Sequence, residues 1–542
     1  MRRPDRKQVG GILIAVLLIV GLAILIQTLG LRERRMAGSA PVVSAEQAAA
    51  GNRQNWNKLT VILDNIAANY VDTLDAAKVT EDILPLILSQ LDPHSVYLSP
   101  KDLQSADESL MGEFFGIGIQ FTVPEDTAVV SNVVSGGPAE KVGILSGDRI
   151  VQVDDTPIAG VKMPQDSMVR LMRGPKNTHV RIGVLREGES VSFDIVRSKI
   201  SEKSVDVAFM VNDTTGYIKL SKFTRTSYSE FLKAAVELRA EGMTRLLFDL
   251  RGNSGGYMDQ ALLMCNEFLE QGQLVVYLEG AHRKREDFKA DGRGHLRDIN
   301  LAVLIDENSA SSSEIFAGAM QDNDRGTIYG LRSFGKGLVQ EPIYFTDGSG
   351  IRVTVARYHT PTGRCIQKPY SDDYAYDIYD RYLHGEMMSA DSIKVNDSLK
   401  FVTPGGKVVY GGGGIIPDVF VPLDTTQVTD FLVKCNRQSL QYKFVTQFSD
   451  AHRARLRGIT TREALDAFLK TLDLKREFLA FTAARGLSPT AKEWAVSGDL
   501  MLTQLRAMIG RATPLDDLGF YPIYLTIDRT AQVALRDAPS SL

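Results

Sequence analysis

The stretch that decides the fold is 308–340, with the sequence NSASSSEIFAGAMQDNDRGTIYGLRSFGKGLVQ. It follows an apolar run at 301–305, LAVLI, which is typical of a buried strand. A helix is predicted from about Ser313, so the serines lie at a strand-to-helix turn. At such a turn a serine hydroxyl is exposed, and the first N–H groups of the helix point towards developing negative charge. This half of the stretch therefore offers a candidate nucleophile.

The second half of the stretch places one lysine, Lys336, between two glycines and shortly before Gln340. A buried lysine can replace histidine as the base for a serine, because burial lowers its pKa. Each half also has an ordinary interpretation. Ser311 and Glu314 have the spacing of a helix capping box, and a Gly-Lys-Gly sequence is often a solvated loop. The choice depends on the sequences around them.

Composition excludes several classes of function. The chain has 542 residues, enough for roughly three or four domains. A net charge of -4, from 62 basic and 66 acidic residues, gives no reason to expect a nucleic-acid partner. Metal-site spacing is absent, and the function predicted below implies no metal, nucleotide or other cofactor. The odd set of Cys265, Cys365 and Cys435 argues against a disulfide scaffold but leaves one disulfide open.

The N-terminus predicts a membrane anchor. Basic residues crowd 1–7, and the apolar run 9–29 matches the ~20 residues that cross a bilayer. A secretory signal has a shorter apolar core, but the small residues at 37–40 leave a cleaved signal and a secreted form open. Basic charge at the extreme N-terminus favours a cytoplasmic end. We therefore expect 1–36 to be a cytoplasmic stub with a single-pass inner-membrane helix, and the catalytic region to be periplasmic.

Residues 37–102 are predicted to be a linker, over 37–51, followed by helices, and 103–200 contain the elements of a peptide-binding module. A glycine-rich loop precedes a strand, which leaves backbone N–H groups to hold a carboxylate. The adjacent sheet edge would accept a peptide as an added strand. This order of elements resembles a PDZ domain across nearly its whole length. The predicted peptide-binding loop is Phe115, Gly116, Ile117, Gly118 and Ile119.

Strands alternate with helices through 201–425, which predicts an α/β core. One buried strand runs directly into the glycine-rich 251–256, where glycines let backbone N–H groups turn towards a ligand. A Tyr- and Asp-rich insertion at about 368–410 is expected to be a solvated excursion, with a lid as the alternative. The remaining 426–542 is predicted to be mostly helical, with a break at 520–524.

Four ordered motifs make the chain resemble the carboxyl-terminal processing, or tail-specific, proteases. These are serine peptidases with a PDZ domain and a Ser-Lys catalytic pair on a crotonase-like core. The motifs are DLRGNSGG at 249–256, SASSSEI at 309–315, FGKGLVQ at 334–340 and TPTGRCIQ at 360–367, and DPHSVYL at 92–98 also agrees. The resemblance covers about 50–425. It implies a multidomain α/β protein: a crotonase-like protease core with an inserted, mainly β PDZ domain, an N-terminal transmembrane helix and helical flanking regions.

The same resemblance implies a role for each motif residue. Ser311 would be the nucleophile and Lys336 its general base, with Gln340 orienting the lysine. Ser309 and Ser313 would be structural. Lys336 must be neutral to accept the serine proton, so the site should desolvate it.

The oxyanion hole would be built from backbone N–H groups. One belongs to Ser312, and the other to Gly255 or Gly256. Glu314 is expected to cap its helix. Three further side chains near the motifs are expected to be structural: Asp249, Arg251 and His359.

The predicted function is endopeptidase activity outside the cytoplasm. The PDZ domain would capture the C-termini of protein or peptide substrates, and Ser311 would form an acyl-enzyme that water releases. Other predicted partners are the membrane, through 9–29, and a homo-oligomer or adaptor. Two alternatives are a PDZ scaffold with an inactive core, and an esterase or amidase. The presence of Ser311 and Lys336 argues against the first, and the PDZ domain against the second.

Overall fold

The structure is a computed structural model that describes residues 45–134, 136–370 and 374–537. The chain divides into two compact units, 1–83 and 84–542. The first unit contains helix α1 (Ala45–Asn69) and most of α2 (Ala76–Leu88), which runs across the boundary. The predicted membrane span 9–29 lies outside the described residues. Among the helices that are described, none is long and apolar enough to cross a bilayer.

One prediction for the first unit is wrong. The segment 45–51 was expected to belong to a linker, but it forms the first turns of α1. Its small residues are mainly alanines, which have the highest helix propensity and therefore favour a helix over a linker. Further along α1, the predicted helical spacing holds, and Leu59, Ile62 and Ile66 are exposed.

The second unit begins with a PDZ-like module entered and left by one antiparallel ribbon. Strand β1 (Val96–Leu98) and helix α3 (Pro100–Met111) lead into β2 (Glu113–Gly116), which pairs with the returning strand β9 (Ser198–Ser201). Between them lie β3 (Ile119–Thr122), β4 (Ala128–Val133), α4 (Pro138–Val142), β5 (Arg149–Val153), β6 (Thr156–Pro157), α5 (Gln165–Met172), β7 (His179–Arg186) and β8 (Glu189–Val196). The sheet order is β3-β4-β5-β7-β8, and its apolar face packs with Met168 and Met172 of α5.

The core that follows is built on two sheets. Its elements are β10 (Val205–Met210), β11 (Thr215–Leu220), α6 (Ser227–Ala240), β12 (Arg245–Asp249), α7 (Met258–Asn266), β13 (Leu274–Gly280), β14 (Arg283–Lys289), β15 (Asn300–Ile305), α8 (Ser312–Asp322), β16 (Gly326–Gly330), β17 (Leu338–Tyr344) and β18 (Gly350–His359). One sheet has the order β10-β11-β12-β15-β16, parallel from β11 onwards. The other has the order β1-β18-β13-β14, with β17 also pairing β18. The predicted mixed α/β class is confirmed.

The parallel sheet is covered on both faces. Parallel strands buried in this way contain continuous apolar runs, and β12 and β15 contain LLF and LAVLI. On one face, Phe248 of β12 packs with Phe231 and Phe316 from α6 and α8. On the other face, Leu247 packs with Leu525 from the C-terminal region. The carboxyl ends of β12 and β15 lie side by side, which is where the candidate site is built.

The insertion and the C-terminal region complete the second unit. The insertion contains α9 (Asp377–Leu383), β19 (Lys400–Val402) and β20 (Val408–Tyr410), and β21 (Val419–Phe420) then joins the parallel sheet beside β16. The C-terminal helices are α10 (Asp430–Arg437), α11 (Leu440–Ala451), α12 (Arg453–Arg457), α13 (Arg462–Lys470), α14 (Leu474–Ala483), α15 (Ala491–Arg511), α16 (Asp517–Tyr524) and α17 (Arg529–Arg536).

The predicted break at 520–524 is wrong, because these residues lie in α16 with Pro522 inside the helix. Tyr521 of α16 and Leu525, the residue directly after the helix, pack on the parallel sheet of the core. The burial of these side chains outweighs the loss of the backbone hydrogen bond that proline cannot make. All three cysteines of the chain are free thiols, and Cys265 and Cys435 are buried.

Candidate active site

The serine turn, defined as 306–311, connects β15 to α8. Ser311 has φ 55° and ψ −114°, a strained backbone conformation for a residue with a side chain. The two flanking serines fix the turn, as the sequence predicts. Ser309 Oγ donates to the carbonyl of Leu250 at 2.8 Å, and Ser313 Oγ donates to that of Asn253 at 2.9 Å. The turn is therefore tied to the neighbouring glycine loop, defined as 251–256.

Glu314 joins the serine turn to the lysine loop, defined as 331–337. Its fully buried carboxylate accepts four hydrogen bonds. Oε2 accepts from the backbone N–H groups of Ser311 at 2.8 Å and Lys336 at 2.9 Å. Oε1 accepts from Ser333 Oγ at 2.6 Å and from the Gly335 N–H at 2.7 Å. The sequence predicts only the helix cap, so the link between the two loops is new. Burial raises the pKa of Glu314 although these donors favour its anion.

Lys336 and Gln340 are in direct contact. Lys336 Nζ donates to Gln340 Oε1 at 2.9 Å. The hydroxyl of the buried Tyr358 lies 2.6 Å from the carbonyl oxygen of Lys336 and 3.1 Å from that of Ser311. Tyr358 is thus a second side chain, after Glu314, that contacts the backbone of both Ser311 and Lys336.

The environment of Lys336 favours its neutral form. Burial lowers the pKa of Lys336, and the positive charge of Arg352 lowers it further. The carboxylates of Glu314 and Asp92 act in the opposite direction. Arg352 is itself held by Asp107, at 3.0 Å between Nη2 and Oδ1. A neutral amine is what a general base needs in order to accept a proton.

The turn at 92–95 supports Gln340 from outside the core motifs. The side-chain amide of Gln340 donates to the carbonyl of His94. Asp92 Oδ1 fixes the turn by accepting from the N–H groups of His94 and Ser95, both at 2.8 Å. Burial lowers the pKa of His94 to about 4, so its ring is neutral, and its Nε2 lies 2.7 Å from the Tyr374 hydroxyl. The sequence indicated a turn here but gave no signal for this contact.

The glycine loop packs directly against Ser311, the candidate nucleophile. A Cβ on Gly255, which has φ +98°, would lie 2.7 Å from the Cβ of Ser311, so no other residue fits. The N–H of Gly255 donates to Asn253 Oδ1 at 2.9 Å. Ser312 Oγ donates to the carbonyl of Gly256 at 2.9 Å. Because Gly255 uses its N–H within the loop, Gly256 is the better candidate of the two glycines for an oxyanion contact.

The three side chains expected to be structural have structural contacts. Arg251 pairs with Asp249 and with Asp528 of the C-terminal region, each at 2.6 Å. His359 stacks on Tyr277 with a centroid distance of 4.6 Å, and its Nδ1 lies 3.1 Å from a backbone carbonyl. None of these arrangements offers a second base to the serine.

The insertion contacts the lysine loop, so the prediction of a solvated excursion is wrong for its first part. Arg381 Nη1 donates to the carbonyl of Ser333 at 2.8 Å, and Nη2 donates to that of Phe334 at 3.1 Å. Lys368 Nζ lies 4.1 Å from the centre of the Phe334 ring. Asp377 pairs with both cations, at 2.9 Å from Arg381 and 3.1 Å from Lys368. The first part of the insertion is therefore held against the lysine loop by charged side chains.

The predicted peptide-binding loop lies between β2 and β3. Phe115 and Gly116 end β2, Ile117 is buried, and Gly118 has φ +78°. The carbonyls of Ile117 and Gly118 accept from N–H groups of the module, each at 2.9 Å, while Ile119 begins β3. Within the described ranges, no group of three or more His, Cys, Asp or Glu side chains is placed to hold a metal ion.

Comparison with known proteins adds family and domain matches. Peptidase family S41 matches residues 214–376, the PDZ domain matches 116–196, and a family of unknown function (DUF8443) matches 431–513. A probable CtpA-like serine protease of Staphylococcus haemolyticus strain JCSC1435 is 31% identical over 353 residues, covering 65% of this chain and 70% of that protein.

A second relative and one solved structure are also similar to this chain. A probable CtpA-like serine protease of Staphylococcus aureus strain N315 is 33% identical over 317 residues, which is 58% of this chain. This chain spans 63% of the length of that relative. The solved photosystem II D1 C-terminal processing protease is 26% identical, with a TM-score of 0.37, over 70% of this chain and 90% of its own.

Proposed function

This chain belongs to the carboxyl-terminal processing family of serine peptidases, and we propose that it cleaves peptide bonds in proteins that its PDZ domain holds by their C-termini. The observation that carries the proposal is the position of Glu314. One oxygen of its carboxylate accepts from the backbone N–H groups of both Ser311 and Lys336. A nucleophile and a lysine with a lowered pKa are thereby held together although they come from different loops.

The proposed reaction has two halves, formation of an acyl-enzyme and its hydrolysis by water. Ser311 Oγ attacks the peptide carbonyl while the neutral Nζ of Lys336 accepts its proton. The N–H groups of Ser312 and Gly256 stabilise the oxyanion, a contact that typically contributes ~10²–10³ in rate for each donor. Lys336 then protonates the leaving amine, and water, deprotonated by Lys336, releases the acyl group. Gln340 has no charge to contribute, so its role is to orient the lysine.

Substrate recognition is proposed to begin at the loop from Phe115 to Ile119. The free carboxylate of a substrate would accept from backbone N–H groups of this loop, and the last residues would add a strand to β3. Backbone pairing is tolerant of sequence, so such a site recognises the end of a chain first and its side chains second.

We also propose that residues 9–29 anchor the chain in the inner membrane with the catalytic region outside the cytoplasm. The support is the basic start and the length of the apolar run. Carbonate extraction of bacterial membranes tests this location. The full chain should stay in the membrane pellet and be digested by protease added to spheroplasts. Recovery of the full-length protein in the soluble fraction would count against the anchor.

The activity itself is tested with the full chain in detergent and an unfolded protein as substrate. Ser311→Ala and Lys336→Ala should each abolish cleavage, whereas Ser229→Ala, an exposed serine on α6, should leave it unchanged. A fluorophosphonate probe should label the parent chain and not Ser311→Ala. Unchanged cleavage in the two variants would refute the proposal. Peptide binding without cleavage or labelling would favour the inactive scaffold, and hydrolysis of esters alone would favour an esterase.

A further inference from the structure

The peptide groove of the PDZ domain has a wall that the PDZ domain does not supply. A cavity of about 1150 Å³ lies at this groove. Two of its sides belong to the PDZ domain and come from β3 and α5. The third side is 513–518, in the C-terminal region, which consists of the end of the connection from α15 and the first two residues of α16; we call it loop 513–518. The residues that matter here are Ile119, Gln120, Asn132, Met172, Asp206 and Asp516.

The C-terminal region is bonded to the PDZ domain at this groove and also away from it. Asn132 Nδ2, on β4, donates to Asp516 Oδ2 at 2.9 Å. Arg149 Nη2, on β5, pairs with Asp450 Oδ2 at 2.6 Å. Arg453 Nη2 donates at 2.8 Å to a backbone carbonyl of the turn before β5. These contacts come from three different C-terminal elements, so loop 513–518 is one part of an extended interface.

The same region is fixed to the protease core on its other side. Arg251 pairs with Asp528, and the Tyr329 hydroxyl donates to Asp537 Oδ2 at 2.9 Å. Leu525 is buried against the parallel sheet. Loop 513–518 is therefore held from two sides and does not depend on the bound peptide for its position.

The pleat of the sheet determines which substrate side chain meets this loop. Ile119 pairs with Val133, and both pack towards the PDZ core. Gln120 pairs with Asn132, so these two side chains point to the opposite face, where Asp516 lies. A peptide added beside β3 alternates in the same way. If its last side chain enters the apolar pocket, the penultimate side chain faces Asp516.

Some of the charged side chains that line the cavity form ion pairs, and more carboxylates than cations remain outside these pairs. Arg173 pairs with Glu108 at 3.7 Å and Lys199 with Glu113 at 2.9 Å, while Asp517 pairs with Arg511. Lys203 is the remaining cation of the lining, and Glu202, Asp206 and Asp516 are the remaining carboxylates. Burial raises the pKa of Asp516 and raises that of Asp206 to about 6, while Lys203 acts in the opposite direction on Asp516 and Lys219 on Asp206.

We propose that loop 513–518 is part of the peptide-binding site, and that Asp516, together with Asp206 of the same cavity lining, selects substrates with lysine or arginine as the penultimate residue. The inference rests on the proposed recognition of C-termini by the PDZ domain. It assigns a recognition role to the C-terminal region, which would contact the face of the peptide that the PDZ domain does not cover.

The test uses the full chain carrying Ser311→Ala, so that bound peptide is not cleaved. Fluorescent peptides share one apolar last residue and carry Lys, Ala or Glu before it. The Lys peptide should bind about tenfold more tightly than the Glu peptide. Asp516→Asn, which keeps a residue tolerant of positive φ, should reduce this ratio to about threefold or less. Asp499→Asn, an exposed change on α15 of the same region, should leave the ratio unchanged.

The outcomes separate this inference from the proposed function. If no peptide binds, the proposed recognition of C-termini is refuted, and so is the role of loop 513–518 in it. If all three peptides bind equally, or if the Lys preference survives Asp516→Asn, only the selection of the penultimate residue by loop 513–518 is refuted. Should Asp516→Asn not fold, Asp206→Asn carries the same prediction from a different strand, and an unchanged ratio in that variant refutes the inference.

Discussion

Replacing Glu314 by glutamine should disable the protein more severely than an isosteric change normally does. Glutamine has the same shape, but one of its two terminal groups is an NH₂ donor. At least one pair of the four donors that converge on Glu314 then faces another donor. Each hydrogen bond to a charged group contributes about 1.5–3 kcal/mol, so losing two lowers the free energy of unfolding of the core by about 3–6 kcal/mol.

Activity should fall as well, because the same carboxylate holds Ser311 and Lys336. A displacement of about 1 Å between reacting groups typically reduces kcat by about 100-fold. Denaturant midpoints and peptide cleavage, measured on one preparation, report the two effects. Glu493→Gln is the matched control, since Glu493 occupies the same position of an exposed capping box at the start of α15. Glu314→Gln with the midpoint and kcat of the parent chain would refute the role assigned to this carboxylate.

Three further predictions concern charge. Arg352→Gln removes a cation that lowers the pKa of Lys336, so the pH at which cleavage reaches half its maximum should rise; an unchanged midpoint contradicts this. Gln340→Glu places an anion beside the lysine and raises its pKa, so cleavage at neutral pH should fall by about 100-fold and recover partly at higher pH. An equal loss at every pH would instead indicate lost geometry alone. Arg364→Met breaks a fully buried ion pair with Asp322 and should lower the free energy of unfolding by about 3–5 kcal/mol, measured by denaturant titration. A loss as small as that of an exposed arginine would contradict it.

Local pattern was enough to predict the parts of the fold and site that depend on local chemistry. Strand β15 is a continuous apolar run, as a parallel strand covered on both faces must be. The change from that run to Ser311 marks the turn. Motif order then associated Ser311 with Lys336 and Gln340, although no spacing rule joins residues on different loops.

The parts that could not be predicted depend on contacts between distant segments. The capping-box pattern identifies Glu314 as a cap, but its carboxylate has two oxygens, and the other donors come from the lysine loop. The partner of Gln340 is a backbone carbonyl, that of His94, and a carbonyl has no sequence signature. Arg381 lies in a polar segment whose composition indicates solvent, and only the fold shows that it covers the lysine loop. In the same way, Pro522 predicts a break that packing against the core overrides.

The pairing of β2 with β9 has a consequence for modular exchange. The chain enters and leaves the PDZ domain through one antiparallel ribbon. A foreign recognition module could therefore be joined at Glu113 and Ser201 without cutting the core sheets. A module exchanged alone would lose Asn132 and Arg149, its two side-chain anchors to the C-terminal helices. New specificities in this protein therefore require the recognition module and the C-terminal region to be inherited, or engineered, as a matched pair.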